Sequence, residues 1–302
     1  VDLLGGPYLL LKDLIQLIVL CAIGMALVRW LITHPARLYG FAPAEDRLRG
    51  QSHGEAILIL CFIGTIMIAG FLYDGGHLYA GEVTPEVASE RAWQPLSALV
   101  GAGLFAAGGA TLAAFASNLG WWLHNCVILV FMNLLPMSKH FHIITSVPNV
   151  FFKKLEPMGQ LSKQDLENAT SFGTSYINQF TWKQVLDMYS CTECGRCSSH
   201  CPATFSGKEL APRQLMLNLR DYLYENENTV LAAPAAVPAE SEGAVATIGE
   251  NIVGERLIHD DVLWACTTCR ACEEACPVLI EYVDKIVDMR RHLVQEESRF
   301  PA

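Results

Sequence analysis

The sequence predicts an all-α protein in two parts, a transmembrane helix bundle followed by a smaller helical domain. Three observations predict it. Of the 302 residues, 52% are hydrophobic and the mean hydropathy is +0.28, more apolar than an ordinary soluble domain. The apolar residues are concentrated before Phe152, in stretches long enough to span a bilayer. Nowhere does the two-residue alternation of a strand take hold.

Four stretches suffice to cross about 30 Å of hydrocarbon at ~20 residues each. They are residues 9–32, 55–73, 96–119 and 121–138. The third is rich in small residues (Gly101, Gly103, Ala106, Gly108, Gly109, Ala113) and is expected to pack inside the bundle. Trp93, Trp121 and Trp122 mark the interfaces. Four crossings put the loop bearing Arg37, Arg47 and Arg49 opposite the C-terminal domain. They put the acidic loop bearing Asp74, Glu82, Glu86 and Glu90 on the same side as that domain, beside Lys139, Lys153 and Lys154. The positive-inside rule does not settle this arrangement. A need for reduced thiols places the C-terminal domain in the cytoplasm.

The expected division is 1–150 for the membrane part and 151–302 for the soluble part. Within the latter, helices are expected over 162–171, 181–189, 212–225 and 283–295. Thr181 would cap the second, and Pro212 would open the third. Residues 226–249, rich in Ala, Pro, Glu and Gly, read as a loop. The chain opens on Val1 without an initiating Met, so it is expected to begin inside a longer protein.

Eight of the eleven cysteines fall in two runs of identical spacing. One is Cys191-x2-Cys194-x2-Cys197-x3-Cys201-Pro202, and the other is Cys266-x2-Cys269-x2-Cys272-x3-Cys276-Pro277. This is the ligand string of a bacterial-type [4Fe–4S] ferredoxin. Disulfides are the plainer reading of many cysteines, but they do not call for this spacing. Zinc sites usually take two separated pairs rather than three cysteines at x2 spacing. The second part is therefore expected to be an α-helical two-[4Fe–4S] ferredoxin domain. In such domains the cysteine before proline serves the other cluster. Cluster one would take Cys191, Cys194, Cys197 and Cys276, and cluster two Cys266, Cys269, Cys272 and Cys201. Cys21, Cys61 and Cys126 lie singly in apolar stretches as small hydrophobes. The net charge of −10 and the lack of a basic cluster exclude nucleic-acid binding.

The last membrane stretch and its end carry His124, His140 and His142. On one continuous helix the 18 residues from His124 to His142 make five turns, about 27 Å, and place both on one face. That would suit two b-type haems stacked across the membrane. The alternative for His124 is a buried histidine bonded to a neighbouring helix. By depth, His53 or His34 on one side and His77 on the other are weaker second ligands. Pro136 is expected to kink the helix and alter this phase.

Three stretches together resemble a known family. They are Trp121-Trp122-Leu123-His124, Pro136-Met137-Ser138-Lys139-His140-Phe141-His142-Ile143 and Asn149-Val150-Phe151-Phe152-Lys153-Lys154-Leu155-Glu156-Pro157. The residues around the second cysteine run (Leu263-Trp264-Ala265-Cys266, then Val283-Asp284-Lys285-Ile286) agree. They are similar to membrane-bound iron–sulfur oxidoreductases that fuse a nitrate-reductase-gamma-like haem b domain to a ferredoxin domain like that of the heterodisulfide reductases. The resemblance implies a quinone-linked oxidoreductase, or its electron-transfer subunit, in the inner membrane of a prokaryote. It would pass electrons between a donor such as electron-transfer flavoprotein and menaquinone, with Lys139 and His140 as candidate walls of the quinone site. It also leads us to expect segments before Val1 and after Ala302, including Cys-Cys-Gly domains. The alternatives are a heterodisulfide or thiol–disulfide reductase module, or a non-catalytic wiring anchor of a larger respiratory complex with further subunits.

Overall fold

A computed structural model describes residues 5–33, 49–157, 159–164, 166–167, 171–232, 249–254 and 257–301. Regular structure among them is helical, apart from a single bridge between Val253 and Ile258. Residues 5–33 and 50–138 form one compact unit, and the described residues from 139 onward form a second.

The first unit begins with α1 (Gly5–Val28), which runs on as a π-helical turn to Thr33. It continues with α2 (Arg49–Tyr79), the short α3 (Pro85–Trp93) and α4 (Pro95–Leu134). Tyr8, Leu11, Ile18 and Met25 point outward along α1, as a lipid-facing helix requires. α1 and α2 pack antiparallel. Lys12 pairs with Asp74 at 2.7 Å, Gly70 makes room for Gln16, and Ile23 lies on Gly64.

The glycines of α2 and α4 set how closely these helices approach. Gly76 lies against the Ala113 carbonyl and the Ser117 amide, and Gly120 against the Ala69 carbonyl and the Tyr73 amide. Farther along, Phe62 and Phe131 meet edge-on at 6.5 Å.

Residues 96–119 and 121–138 do not form separate helices. Gly120 is buried mid-helix, and the break falls instead at Gly108 (φ −156°, ψ 19°) and Gly109 (φ 66°, ψ −164°). The second of these conformations is essentially restricted to glycine. Gly75 meets Ser97 and Gly101 while the adjacent Gly76 meets Ala113 and Ser117. The chain therefore folds back at the glycine pair.

The start of α4 is capped from another helix. Asp13 of α1 is 1% exposed and accepts hydrogen bonds from the amides of Leu96 (2.7 Å) and Ser97 (3.0 Å) and from the Ser97 hydroxyl (2.6 Å). Helix-terminal amides in a bilayer have no water to turn to, so this carboxylate satisfies donors that are costly to leave bare.

Three helices, not four, are long and apolar enough to cross a membrane among the described residues: Gly5–Thr33, Gly54–Tyr79 and Pro95–Met137. The count changes the side assignments. α1 ends, α2 begins and α4 ends at one end of the bundle. The acidic loop 80–94 lies at the other, opposite to the expectation from four crossings.

The second unit begins with α5 (His142–Phe151) after a 3₁₀ turn at Lys139–Phe141. α5 packs on α6 (Trp182–Ser190), where Thr181 is the N-cap as expected and Gln184 completes a capping box. α7 (Arg196–Ser199), α8 (Pro202–Phe205) and α9 (Pro212–Glu225) follow. α10 (Glu227–Ala232) occupies the start of the stretch expected to be a loop: after the turn at Asn226, the Asn226 carbonyl accepts from the amides of Thr229 and Val230 and starts a new helical turn; residues 233–248 lie outside the described ones. No helix forms at 161–164, contrary to expectation; Ser162 is used instead to receive Arg291. The unit closes with α11 (Asp260–Trp264), α12 (Ala271–Glu274) and α13 (Tyr282–Gln295). Its core joins Met188, Met216, Leu219 and Leu263 to Ile286, Met289 and Leu293, which recur along one face of α13.

Replacing Gly76 with Val should lower thermal stability in detergent micelles by about 1–3 kcal/mol, because its Cβ would meet backbone. Gly103→Ala, with nothing within 4 Å, should stay within ~0.5 kcal/mol of the parent. Equal melting shifts would refute the close helix approach.

Candidate iron–sulfur centre

The two cysteine runs fold as copies of one loop. The residue two after the first cysteine is left-handed in both, Glu193 (φ 54°) and Thr268 (φ 55°). The residue after the second cysteine is left-handed too, Gly195 (φ 73°) and Arg270 (φ 62°). These are unusual angles for a glutamate, a threonine and an arginine. They curl each loop around its sulfurs before the short helices α7 and α12, which pack on each other.

Two cavities result. One is lined by Cys191, Cys194, Cys197 and Cys276. The other is lined by Cys201, Cys266, Cys269 and Cys272. Each thus receives three cysteines from one run and the proline-adjacent cysteine of the other. Among the described residues, no three His, Cys, Asp or Glu side chains form a single-ion site.

Burial sets the protonation of the free sulfurs. Burial, then repulsion from Cys197, pushes Cys191 up to about 12, despite the nearby Arg220. Burial pushes Cys197 to about 11, and burial with Glu273 beside it pushes Cys272 higher still. Such thiols hold their protons or give them up to bound metal. The donors already aimed at sulfur suit thiolates: the amides of Thr268 and Ile280 donate to Cys266 and Cys276 at 3.4 Å, and the buried Tyr282 hydroxyl donates to Cys197. Four thiols per cavity, with donors turned toward them, fit a [4Fe–4S] cubane.

An arginine anchors each loop. Arg220 of α9 holds the Glu193 carboxylate at 2.8 Å. Arg290 of α13 donates to the carbonyls of Leu263 and Cys266 and lies over the Trp264 ring. Behind the first cavity, Asp187 is fully buried between Lys285 (2.5 Å) and Lys183 (2.7 Å), and also accepts from the Glu281 amide. Lys183 reaches Asn149 Oδ1, and Asn149 Nδ2 donates to the Val278 carbonyl, two residues past Cys276. The cysteine spacing indicates none of these contacts, since nothing in a spacing pattern announces a partner 98 positions away.

Access to the two sets differs. Cys269 is exposed, whereas Cys191, Cys197, Cys201, Cys272 and Cys276 are buried. Beside Cys269 lies a cleft of about 490 Å³, lined also by Lys153, Lys154, Arg270, Leu279 and Glu281.

The histidines are placed less symmetrically than expected. The α-helix ends at Leu134, and a 3₁₀ segment, Leu135–Met137, carries Pro136, so His124 and His142 share no continuous helix and the five-turn relation does not hold. Proline removes a donor and tightens the turn. His124 Nδ1 lies 3.3 Å from the Ile66 carbonyl of α2. His142 sits 5.7 Å from His140, ring to ring. His77 is exposed and stacks on Tyr73. His34 and the His53 side chain lie outside the described residues.

Residues 187–280 match the family described as 4Fe-4S dicluster domain. Over 95% of its length the chain is 36% identical to a probable iron–sulfur-binding oxidoreductase, FadF, of Bacillus subtilis, covering 41% of that protein. It is 33% identical over 85% of its length to an EtfAB:quinone oxidoreductase of Syntrophomonas wolfei, covering 37% of it. A probable membrane-anchored ferredoxin of Chromohalobacter salexigens is 39% identical over 47% of the chain and 22% of its own length. The chain spans about two-fifths of the length of the first two of these relatives. No solved structure matches it.

Asp187→Asn should destabilise the second unit by about 3–5 kcal/mol, because Lys285 keeps its buried charge without a counter-ion. Burial alone would raise the Asp187 pKa, but Lys285 and Lys183 hold it below its ordinary 3.8. Its contribution is therefore complete above the unfolded value and is lost as pH falls through the folded one, below about pH 4. Denaturant titrations at pH 7 and pH 3 should show a smaller gap between parent and variant at pH 3 than at pH 7; a gap of equal size would contradict the assignment.

Proposed function

We propose that this chain, similar along nearly its whole length to iron–sulfur oxidoreductases and carrying a 4Fe-4S dicluster domain, conducts electrons between a soluble redox protein and the menaquinone pool. One observation carries the reading: two four-cysteine cavities, built from crossed halves of two sequence runs, follow directly on three membrane-spanning helices. Cys191, Cys194, Cys197 and Cys276 would hold the first cluster, and Cys266, Cys269, Cys272 and Cys201 the second. Two [4Fe–4S] clusters supply one-electron relay when bound. The protein brings the two sites together through α7 and α12, stabilises the thiolates with inward donors, and leaves the Cys269 edge open to an exchange partner. The S. wolfei relative's name makes electron-transfer flavoprotein the leading donor class.

His124 is the best-prepared ligand for a b-type haem. Donation from Nδ1 to the Ile66 carbonyl fixes the tautomer and leaves Nε2 for a metal. The same bond is what a merely buried histidine would make, so the haem rests on the family resemblance, with His142 as the second candidate. Orientation follows from three crossings. The chain continues toward Lys139, Lys153 and Lys154 from one end of the bundle, while Glu82, Glu86 and Glu90 lie at the other end. The positive-inside rule then puts the cluster side in the cytoplasm.

Anaerobically purified protein should carry about eight irons. Cys191→Ser with Cys276→Ser should lose the same cluster as either change alone. Cys191→Ser with Cys201→Ser should lose both. The opposite pattern of iron counts would overturn the crossed ligation. In nanodiscs, reduced flavoprotein should reduce a menaquinone analogue through the parent protein but not through the two-cluster-deficient variant. Failure of the iron-replete parent would sink the proposed pathway.

A further inference from the structure

We infer that α5 is an interfacial helix that lies in the bilayer surface, with lipid at the headgroup–acyl boundary as its partner. Its ten residues divide cleanly. Ile143, Ile144, Val147, Val150 and Phe151 are all exposed, at 40–80%. At about 100° per residue they fall within an arc of about 120°. Thr145 and Asn149 are centred opposite, at 6% and 0% exposure. Thr145 donates to the Tyr189 carbonyl at 3.0 Å, and Asn149 is tied to Val278 and Lys183. The polar face is therefore built into the ferredoxin unit, and the apolar face points away from it. This inverts the usual arrangement of a surface helix, whose apolar side faces its own core.

Covalent continuity says what covers the apolar face. The third span ends at Met137 and α5 begins at His142. Five residue steps reach at most about 18 Å, so the helix starts within that distance of the span's end. The residues around it have interfacial chemistry. Phe151, Phe152 and Trp182 form an exposed aromatic group, with Phe152 edge-on to its neighbours at 4.9 and 5.2 Å. Aromatic rings of this kind favour the boundary between acyl chains and headgroups. The exposed Lys153 follows at once, placed to reach the headgroup layer. Lys153 and Lys154 also wall the cleft beside Cys269, so this cleft adjoins the end of α5 in sequence.

The test uses the full chain in nanodiscs, with photoreactive benzoylphenylalanine at Val147 or Phe151. Leu231 and Phe205, equally apolar and exposed but off this face, are controls. After illumination, phospholipid adducts on the 147 and 151 peptides should exceed those at the controls by about tenfold, with iron content unchanged. Adducts to a second copy of the chain, to another polypeptide, or at the same level as the controls would overturn the assignment. Val147→Glu with Phe151→Glu should keep its iron while hydrogen exchange at 143–151 rises; unchanged exchange would count equally against it. Neither outcome depends on electron transfer, so loss of the proposed pathway would leave this result standing.

Discussion

The buried Asp187 carboxylate is the point on which the second unit depends. It is held between two lysines from different helices, and a carboxylate in so dry a place survives only with such partners. Through Lys183 and Asn149 it fixes α5, and through Lys285 and the Glu281 amide it fixes the start of α13. The turn that carries Cys276 and Pro277 lies between those two attachments, with Asn149 bound to Val278 and Ile280 donating to the cysteine sulfur. One charge cluster thus sets the helix leading from the membrane and the cysteine that must cross to the other run. A neutral network could satisfy the same atoms more cheaply. A charged one ties the geometry to a single register, because any shift strands a buried ion.

The crossed cysteines add a second constraint of the same kind. Runs 75 residues apart share both cavities, so neither cavity is complete until the whole unit has closed. Thiols that burial drives toward their protonated form have little reason to gather by themselves. Metal binding and folding are therefore coupled, and the occupant's binding energy becomes stability of the fold. Arg220 and Arg290 serve opposite halves of this arrangement, each gripping one loop from a helix of the hydrophobic core.

What the sequence disclosed, and what it hid, follows from the range of each interaction. Cysteine spacing is local, and Thr181 with Gln184 is a three-residue signal, so both were legible. The ends of α9 and α13 were marked by Pro212 and by an apolar face. The left-handed angles at Glu193, Thr268 and Arg270 were not legible, because these residue types ordinarily avoid them and only the requirement to wrap the sulfurs imposes them. Asp187 with Lys285, and Asp13 with the start of α4, are pairings across 98 and 84 positions that leave no periodic trace.

In the membrane unit the small residues were visible, but their separate uses were not. Gly75, Gly76 and Gly120 bring helices into backbone contact, while Gly108 and Gly109 reverse the chain. Composition alone cannot tell a packing glycine from a turning one, and the misplaced break turned three spans into four. With three spans, the end of α1, the start of α2 and the end of α4 lie at one end of the bundle, and the carboxylates of 82–90 at the other.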